Sequence, residues 1–350
     1  MKIMSAKLFG MLSMLALLMF MLVPVLVVAQ EATEAPSHDL WVSQYYAPYM
    51  DMGRYPTIKL SSMAQDTGVR YFTLAFVLAG YKNCKPAWYG VSNLNNPNFL
   101  DDLEQLRALG GDVIVSFGGA GGTELAINCP DAETLAAAYQ TVIDTLGVTH
   151  LDFDIEGGTL ANTEATERRS QALVILQRNA EAAGKPIHIS FTLSVLTTGL
   201  LDDSLALLQS AKDVGVNVDV VNIMTMNFED SASEDKMGEN TILAATALFG
   251  QLKGLYPDKT DAELWGMIGV TPMIGVNDRS QQVFTLDDAK AVTQFAQEKG
   301  LQRIAIWSLD RDQPCEFEQT VATGKCSSVV QNLYDFSAAF NQLTQASDVP

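Results

Sequence analysis

The stretch HLDFDIEGG, residues 150–158, places three acidic side chains at alternate positions, Asp152, Asp154 and Glu156, with large apolar residues between them. Side chains alternate between the two faces of a β-strand, so the three carboxylates share one face and the apolar side chains share the other. A solvated edge strand is disfavoured by the apolar neighbours, and calcium or magnesium ligands more often lie in loops rich in Asp, Asn and Gly. Asp152, Asp154 and Glu156 are called the acidic row below.

Apolar, β-rich runs alternate with amphipathic helical runs along the rest of the chain. The predicted strands are 40–46, 71–78, 112–117, 149–155, 187–193, 218–226, 266–271 and 303–308. The predicted helices are 58–66, 98–109, 131–146, 161–183, 201–213, 239–254, 286–299 and 328–344. This alternation predicts an α/β protein with parallel strands and right-handed crossovers, and eight units of each kind fit a (β/α)8 TIM barrel. The alternative, an open doubly wound sheet, lacks a nucleotide fingerprint after its first strand.

In a barrel, the apolar face of the acidic strand packs against the helices, so the acidic row points inward and rises to the carboxyl-terminal mouth. Active sites of such barrels lie at that mouth. Like charges in a confined space raise the pKa of at least one carboxyl, so we expect protons to be shared along the row. This arrangement suits Glu156 for general acid catalysis near neutral pH.

The domain is expected to cover residues 38–345 as a single barrel. Segment 272–302, between the seventh and eighth predicted strands, has room for a helix but not for an inserted α+β subdomain. We find no repeats or Ser/Pro-rich linkers, so a separate carbohydrate-binding module is not expected.

The first 29 residues have the pattern of a secretory signal. Lys2 and Lys7 precede an uncharged apolar run that ends in small residues at Ala29, where we expect cleavage. An uncleaved membrane anchor is the alternative, because about 20 apolar residues can span a bilayer. A short disordered lead-in, 30–37, follows, and the mature protein is expected to be secreted.

The charge balance excludes several partner classes. The chain carries 22 Lys and Arg against 41 Asp and Glu, a net charge of −19. Such a protein is not expected to bind nucleic acid or anionic membrane surfaces. Its three histidines, His38, His150 and His188, and its cysteine spacing do not fit a zinc site. His150 is expected to be a packing residue.

Four cysteines in an exported chain suggest two disulfides. Three pairings are possible, and we favour Cys84–Cys129 and Cys315–Cys326 because each pair lies in loops placed on one side of adjacent strands. Free thiols are the alternative.

The segment 149–156 resembles the DxxDxDxE signature of the glycoside hydrolase family 18 chitinases, with Thr149 in place of the first aspartate. The family's SxGG motif is matched one strand earlier by Ser116, Gly118 and Gly119.

Further segments extend this resemblance in the family's order over nearly the whole predicted domain. Trp307 ends the eighth predicted strand, where the family has a tryptophan beneath the reacting sugar. The stretches VVNIMTMNF and GVTPMIGVND resemble the bacterial and archaeal chitinase A-like subgroup.

The resemblance implies substrate-assisted, retaining hydrolysis of β-1,4 linkages in chitin or chitooligosaccharides, an exception to the two-carboxylate scheme. Glu156 would protonate the glycosidic oxygen and later deprotonate water. Asp154 would turn toward Glu156 and the acetamido N–H, and Asp152 would share a proton with Asp154. No metal or organic cofactor is implied, and the substrate needs an N-acetylglucosamine (GlcNAc) unit.

One departure from the family concerns the sixth strand. Met226 stands where the family has a tyrosine that donates to the acetamido oxygen, and a thioether cannot donate. Met224 and Asn227 belong to the same substrate-binding stretch. The candidates for a replacement donor are Gln44, Tyr45, Tyr46 and Asn277. Ser116 is expected to support the acids by hydrogen bonding.

Three functions follow from these features. The first is a secreted, monomeric chitinase, and the short segment between the last two strands favours an open groove and endo cleavage. An endo-β-N-acetylglucosaminidase of N-glycans would share the chemistry. A non-catalytic chitin-binding lectin is the third, favoured by Met226 and disfavoured by the presence of Glu156.

Overall fold

The computed structural model describes residues 41–55, 57–229 and 234–347. The predicted signal segment, the lead-in and the start of the predicted domain lie outside these residues. In the described part of the chain, none of the helices has the length and apolar character needed to cross a membrane.

The strands form a parallel sheet with short additions. In chain order they are β1 (Tyr45–Tyr46), β2 (Tyr49–Asp51), β3 (Tyr71–Ala79), β4 (Pro86–Trp88), β5 (Asp112–Gly118), β6 (His150–Asp154), β7 (His188–Leu196), β8 (Gly199–Leu200), β9 (Val220–Met224), β10 (Ile268–Thr271), β11 (Gly275–Val276), β12 (Val283–Phe284) and β13 (Arg303–Ile304).

The parallel sheet closes into a barrel. Its order is β1-β13-β10-β9-β7-β6-β5-β3-β2, and β1 and β2 are successive parts of one chain segment interrupted at Ala47-Pro48. β1 pairs with β13 on one side and β2 pairs with β3 on the other, which joins the two ends of the sheet. β4 and β8 extend β3 and β7 as antiparallel hairpins, and β11 and β12 pair separately.

The helices surround this sheet. In chain order they are α1 (Leu60–Thr67), α2 (Pro97–Ala108), α3 (Leu125–Asn128), α4 (Ala132–Leu146), α5 (Gly157–Leu160), α6 (Thr163–Ala182), α7 (Asp202–Val214), α8 (Met237–Leu255), α9 (Asp261–Trp265), α10 (Leu286–Lys299), α11 (Asp335–Phe340) and α12 (Gln342–Ser347). Between β10 and β13 the described chain holds only the β11–β12 hairpin and α10, so the prediction of a single barrel without an inserted subdomain is confirmed.

The last predicted helix, 328–344, begins seven residues too early. The helix starts at Asp335 because of the carboxylate of Asp312, which is buried in the chain after β13. This carboxylate accepts hydrogen bonds from the backbone N–H groups of Phe336 and Ser337, at 3.1 and 2.7 Å. Such a carboxylate satisfies the free N–H groups of a first helical turn. The preceding residues form the loop that carries the second disulfide.

Both predicted disulfides are present. Cys84–Cys129 joins the loop after β3 to the end of α3, and Cys315–Cys326 closes the long loop after β13. Both loops follow strands at the carboxyl-terminal end of the barrel, the end where β6 leads into Glu156.

The outward face of the acidic strand anchors it to the helices. Phe153 is fully buried between Phe117 of β5 and Phe191 of β7, and Tyr139 of α4 packs edge-on against it. Each such ring contributes about 1.5–3 kcal/mol by burial. This packing fixes the face of the strand, so the acidic row points into the barrel.

Candidate active site

Asp152 lies deepest in the acidic row and is completely buried. The register of the sheet places Ser116 on β5 and Ser190 on β7 at its level. Five donors reach its two oxygens: Tyr49 at 2.8 Å, Ser116 at 2.7 Å, Ser190 at 2.6 Å, Thr192 at 2.8 Å and Arg303 at 3.3 Å. Such a set of donors, one of them a guanidinium, stabilises an ionised carboxylate.

Asp154 lies one step higher and has a different environment. It is 4% exposed, yet its Oδ1 atom is buried without a hydrogen-bond partner among the described residues. Burial, then the nearby Glu156 and Asp152, raise the pKa of Asp154 well above its ordinary value, and Arg303 opposes this shift only partly. The side chain is therefore disposed to carry a proton.

Glu156 follows the strand at the mouth of the barrel. It is half-buried and precedes α5, and burial raises the pKa of its carboxyl. Asp154 and Glu156 line the same cleft. A carboxyl with a raised pKa at the edge of a cleft is suited to give up a proton near neutral pH.

The expected sharing of a proton between Asp152 and Asp154 stays a prediction. Both oxygens of Asp152 are occupied by other donors, and no hydrogen bond joins Asp152 to Asp154 in the described structure. Burial and the nearby Glu156 are the larger causes of the raised pKa of Asp154, and Asp152 contributes after them.

An aromatic wall forms another side of the cleft. Trp307 is partly exposed and stacks on Phe76 of β3, with ring centroids 5.7 Å apart. Tyr49 packs edge-on against Trp307 and is tilted against Phe76. Sugar rings pack well on such faces because their axial C–H groups are apolar and aromatic rings bury large areas. The sequence predicted Trp307 here but not Phe76.

The two glycines of the SFGG segment allow close packing behind this wall. Gly118 and Gly119 have φ angles of +99° and +86°, which favour glycine. A Cβ at Gly118 would overlap the carbonyl oxygen of Asp154, and one at Gly119 would lie 2.7 Å from the ring of Phe76. These glycines do not line the cleft; they let its walls approach each other.

The end of β9 and the loops that follow β9 and β11 form the opposite side of the cleft. Met224, Met226 and Asn227 line the cleft, together with Asp278 from the loop after β11. Asn227 Nδ2 donates to Asp278 Oδ2 at 2.9 Å, and Asn227 Oδ1 accepts from the backbone of Arg279 at 3.1 Å. The amide group is therefore held in one orientation.

Three of the proposed replacement donors do not reach the cleft. Gln44 directs its amide to the carbonyls of Ala296 and Leu301, behind the barrel wall. Tyr45 is buried at the opposite end of the barrel, and Tyr46 bonds Ser337 on the helical side. The physical reason is depth along the strand: Tyr49, four residues after Tyr45, is the tyrosine that stands at cleft level.

Asn277, the fourth candidate, is also occupied. Its amide donates to the carbonyls of Met273 and Gly275, and its oxygen accepts from the backbone of Asn227. Asn277 positions the neighbouring loop and is completely buried.

Several residues of the site were not found from the sequence. They are Tyr49, Phe76, Thr192, Thr271 and Asp278 in the cleft and Arg303 beneath it. For Tyr49 a signal existed, because Tyr45 and Tyr49 share a strand face, but Pro48 hid the continuation of the strand.

A separate layer closes the bottom of the barrel. His150 stacks between Trp41 and His188, with centroids 4.0 and 4.4 Å away, and burial first and His188 next lower its pKa. His188 Nδ1 lies 3.0 Å from Asp219. His150 is a packing residue, as the sequence indicated.

Two larger grooves lie beside the mouth, with volumes of about 660 and 700 Å³. Neither contains a residue of the acidic row, so size alone does not identify the reactive cleft. The smaller cleft is assigned on its chemistry: convergent carboxyls with raised pKa values against an aromatic wall.

Comparisons with known proteins agree with this geometry. No family model matches the chain. The chain is 37% identical to the catalytic domain of a hyperthermophilic chitinase from Pyrococcus furiosus, with a TM-score of 0.80, and the match covers 89% of this chain and 98% of that one.

Two curated proteins also match. One is the Escherichia coli K12 "Probable bifunctional chitinase/lysozyme", 39% identical over 282 residues, which are 78% of this chain and 31% of that protein. The other is Endochitinase 11 of Metarhizium anisopliae, 39% identical over 283 residues, with 78% and 53% covered. The chain thus spans about a third and about half of the length of these two relatives. With nearly the whole Pyrococcus furiosus domain matched and the DFDIE and SFGG segments at the mouth of the barrel, the chain belongs to the glycoside hydrolase family 18 chitinases.

Proposed function

We propose that this chain hydrolyses β-1,4 linkages between GlcNAc units of chitin or chitooligosaccharides, with retention of configuration and with the substrate's acetamido oxygen as nucleophile. A structure of the Pyrococcus furiosus chitinase, 36% identical, contains chito-oligosaccharides, which supports this substrate class. Glu156 is the acid and base of the proposal, and Asp154 orients the acetamido group.

The observation that carries the proposal is the unpaired Oδ1 atom of Asp154. A buried polar atom without a partner costs free energy, about 1–3 kcal/mol, and in native proteins it calls for a reason. An acetamido N–H donated by a bound sugar would satisfy this atom, because the residue lines the cleft beside Glu156.

The first step balances as follows. The carboxyl of Glu156 transfers its proton to the glycosidic oxygen, the bond from that oxygen to the anomeric carbon breaks, and the acetamido oxygen forms a new bond to the same carbon. The resulting oxazolinium ion is positive, and the neighbouring carboxyl of Asp154 accepts its N–H. Glu156, now ionised, then takes a proton from water, which attacks the anomeric carbon and opens the ring.

Asp152 has a supporting role in this proposal. Its charge is balanced by Arg303, at 3.3 Å, and by four hydroxyl donors, so it does not react. Its field instead raises the pKa of Asp154, after burial and Glu156, and so keeps a proton available above it.

A chitin-binding lectin is the second candidate, favoured by one observation. The hydroxyls that line the cleft, those of Tyr49, Thr192 and Thr271, donate to Asp152 or to Asn222 inside the barrel. Met226 offers no hydrogen either. Loss of one donor to a developing charge costs about 2.7–4 kcal/mol of transition-state stabilisation in other enzymes.

The test is hydrolysis of a fluorescently labelled GlcNAc tetramer by the folded protein beside Glu156→Gln. We expect product release by the wild type and a loss of about 10²–10⁴-fold in the variant, because general acid–base catalysis contributes that much. Binding of the tetramer by both proteins with no release by either would refute hydrolysis and support the lectin.

Export, cleavage pattern and oligomeric state complete the proposal. We infer a secreted monomer whose signal segment is removed after Ala29, consistent with two disulfides in the folded domain.

Endo cleavage of the polysaccharide is proposed because, in the described chain, only a hairpin and one helix lie between β10 and β13. A GlcNAc hexamer should give mixed products, and release of dimer alone would contradict endo action. An endo-β-N-acetylglucosaminidase would cleave N-glycans by the same chemistry, so an N-glycan is the alternative substrate to test beside the hexamer.

A further inference from the structure

A series of contacts outside the cleft leads from one ring of the aromatic wall to the other. Asp310 follows Trp307 closely in the chain and is buried. Its Oδ2 atom accepts a hydrogen bond from the backbone N–H of Asp51, at the end of β2, at 3.1 Å. Asp51 Oδ1 accepts in turn from the hydroxyl of Tyr89, at 2.5 Å, which brings the loop after β4 to the same place.

The backbone of Tyr89 closes this series. Its N–H donates to the carbonyl oxygen of Phe76 at 3.0 Å, and the ring of Phe76 stacks on that of Trp307. Asp51, Tyr89 and Asp310 are called the outer network below. None of the three lines the cleft, and the proposed reaction gives them no part. The outer network therefore reaches both rings of the aromatic wall from outside the cleft.

Tyr89 is held in an unfavourable backbone conformation. Its φ angle is +52°, in the left-handed region, which is rare for a residue with a bulky side chain. The ring packs closely on the turn after β2, where a Cβ at Gly53 would lie 2.8 Å from it. Gly53 N–H donates to Asp51 Oδ1 at 2.9 Å, the same oxygen that accepts from Tyr89. Conformations of this kind persist only where surrounding contacts hold them, and they concentrate at functional sites.

The direction of each hydrogen bond in the outer network follows from its groups. Burial, followed by the hydrogen bond to Asp51, raises the pKa of Tyr89, so the hydroxyl keeps its proton and is the donor. Arg54 Nε lies 3.5 Å from Asp51 Oδ2 and supplies a counter-charge to this acceptor. Burial also raises the pKa of Asp310. Because its partner is a backbone N–H, Asp310 needs an acceptor oxygen there and not a charge.

We propose that Tyr89 and Asp310 are positioning residues that act through Asp51 to hold Phe76 and Trp307 in the arrangement that binds the sugar. The inference rests on the proposed sugar-binding role of the aromatic wall but not on turnover. Neither positioning residue touches the sugar. When the outer network is broken, the two rings occupy the binding arrangement for only part of the time, and the apparent affinity falls by that fraction.

The first experiment uses Tyr89→Phe, which keeps the ring and removes only the hydroxyl. We expect the KM for the labelled GlcNAc tetramer to rise about threefold to tenfold with little change in kcat, because one net hydrogen bond contributes a factor of this size. Initial rates over a range of tetramer concentrations measure both constants. A merely structural role would lower the free energy of unfolding and leave KM unchanged, and that result would overturn the proposal.

Tyr55→Phe is the matched control, since it removes a hydroxyl from the same turn after β2. Tyr55 is 98% exposed and does not line the cleft. Its KM should equal that of the wild type. An equal rise of KM in Tyr55→Phe and Tyr89→Phe would overturn the proposal, because the effect would not depend on the outer network.

Two variants test Asp310 by rescue. Asp310→Asn keeps an acceptor oxygen for the N–H of Asp51, whereas Asp310→Ala removes it. We expect the KM of the asparagine variant to equal that of the wild type and the KM of the alanine variant to rise as in Tyr89→Phe. Equal KM values in the two variants would overturn the role of Asp310.

Two measurements without turnover separate this inference from the proposed reaction. The indole N–H resonance of Trp307, assigned by its loss in Trp307→Phe, should shift or broaden in Tyr89→Phe and not in Tyr55→Phe. Calorimetric titration of the GlcNAc tetramer into Glu156→Gln, with and without Tyr89→Phe, should show about threefold to tenfold weaker binding in the double variant.

These outcomes are distinguishable from failure of the reaction. Weaker binding and a changed indole resonance together with an inactive wild type would retain this inference and refute hydrolysis. An unchanged indole resonance in Tyr89→Phe, or equal binding by the two Glu156→Gln proteins, would overturn the inference, whatever the activity.

Discussion

Asp152 and Asp154 stand two residues apart on one strand face, yet their surroundings are opposite. Asp152 accepts hydrogen bonds from five donors, one of them the buried Arg303. Asp154, nearly as buried, has an oxygen without a hydrogen-bond partner among the described residues, and its pKa is raised. An aspartate side chain thus has a structural role at position 152 and has an oxygen available to a ligand at position 154.

The difference follows from where each residue lies along the barrel. At the level of Asp152, neighbouring strands direct Ser116 and Ser190 inward, and the register of the sheet brings their hydroxyls within reach. At the level of Asp154, the adjacent residues are Gly118, which has no side chain, and Thr192, whose hydroxyl points down to Asp152. The adjacent strands thus direct no side-chain donor to Asp154, which leaves its carboxyl for the orienting role proposed above.

The largest expected effect concerns stability. Asp152→Asn would leave Arg303 buried without its counter-charge, which should lower the free energy of unfolding by about 3–5 kcal/mol. Urea denaturation measures this value. The double variant Asp152→Asn/Arg303→Met, which removes both charges, should recover a large part of the loss. An Asp152→Asn protein as stable as the wild type would contradict the role of Asp152 as the counter-charge of Arg303.

Asp154→Asn is expected to have the reverse profile. Its stability should equal or exceed that of the wild type, because a buried acid with an unpaired oxygen is replaced by a neutral amide. Its kcat on the GlcNAc tetramer should fall about 10²–10³-fold, as for loss of one group that stabilises developing charge. Denaturation and initial rates on the same preparation check both values, and a large loss of stability would count against the assignment.

The pH dependence of stability sharpens the contrast. Because Asp154 has a pKa above its ordinary 3.8 in the folded protein, its contribution is present at pH values below 3.8 and is lost as the pH rises through the folded pKa. Relative to Asp154→Asn, the wild type should lose up to about 1.4 kcal/mol per pH unit over that window. Urea midpoints at a series of pH values measure the slope, and parallel curves would refute it.

The smallest effect concerns the aromatic wall. Phe76→Leu removes the ring that stacks on Trp307 and should cost about 0.5–1.5 kcal/mol of sugar binding, mostly as a higher KM. Phe317→Leu, at a phenylalanine that is 71% exposed and outside the cleft, is the control and should leave KM unchanged. Similar KM values for both variants would exclude a binding role for Phe76.

Local pattern was sufficient for the acidic row and for the order of strands. The period of two fixes which face carries Asp152 and Asp154, and the alternation of strands and helices fixes parallel topology. The depth at which a residue lies along the barrel could not be predicted from local pattern, because it depends on how the strands are staggered around the closed sheet. Tyr45 pairs with Arg303 near the bottom, so the tyrosine chosen from the sequence lies four residues before the one at cleft level.

Contacts between loops were also beyond local pattern. Asn227 and Asp278 are far apart in sequence and meet because the loops after the sixth and seventh strands are joined through Asn277 and Gln282. In the sequence, Arg303 is a charged residue at the start of an apolar run, a position typical of a residue that flanks a buried strand. Its burial is explained by the partners that it meets inside the barrel, which are the carboxylate of Asp152, the hydroxyl of Thr73 and the ring of Tyr49.

The most direct test of this account is an infrared difference spectrum between the wild type and Asp154→Asn in the carboxyl region at neutral pH. We expect the wild type to have an additional band from a protonated carboxyl, which the substitution removes. A difference confined to the bands of ionised carboxylates would mean that Asp154 is charged in the free protein. It would contradict the division between a satisfied anion below and a protonated acid above.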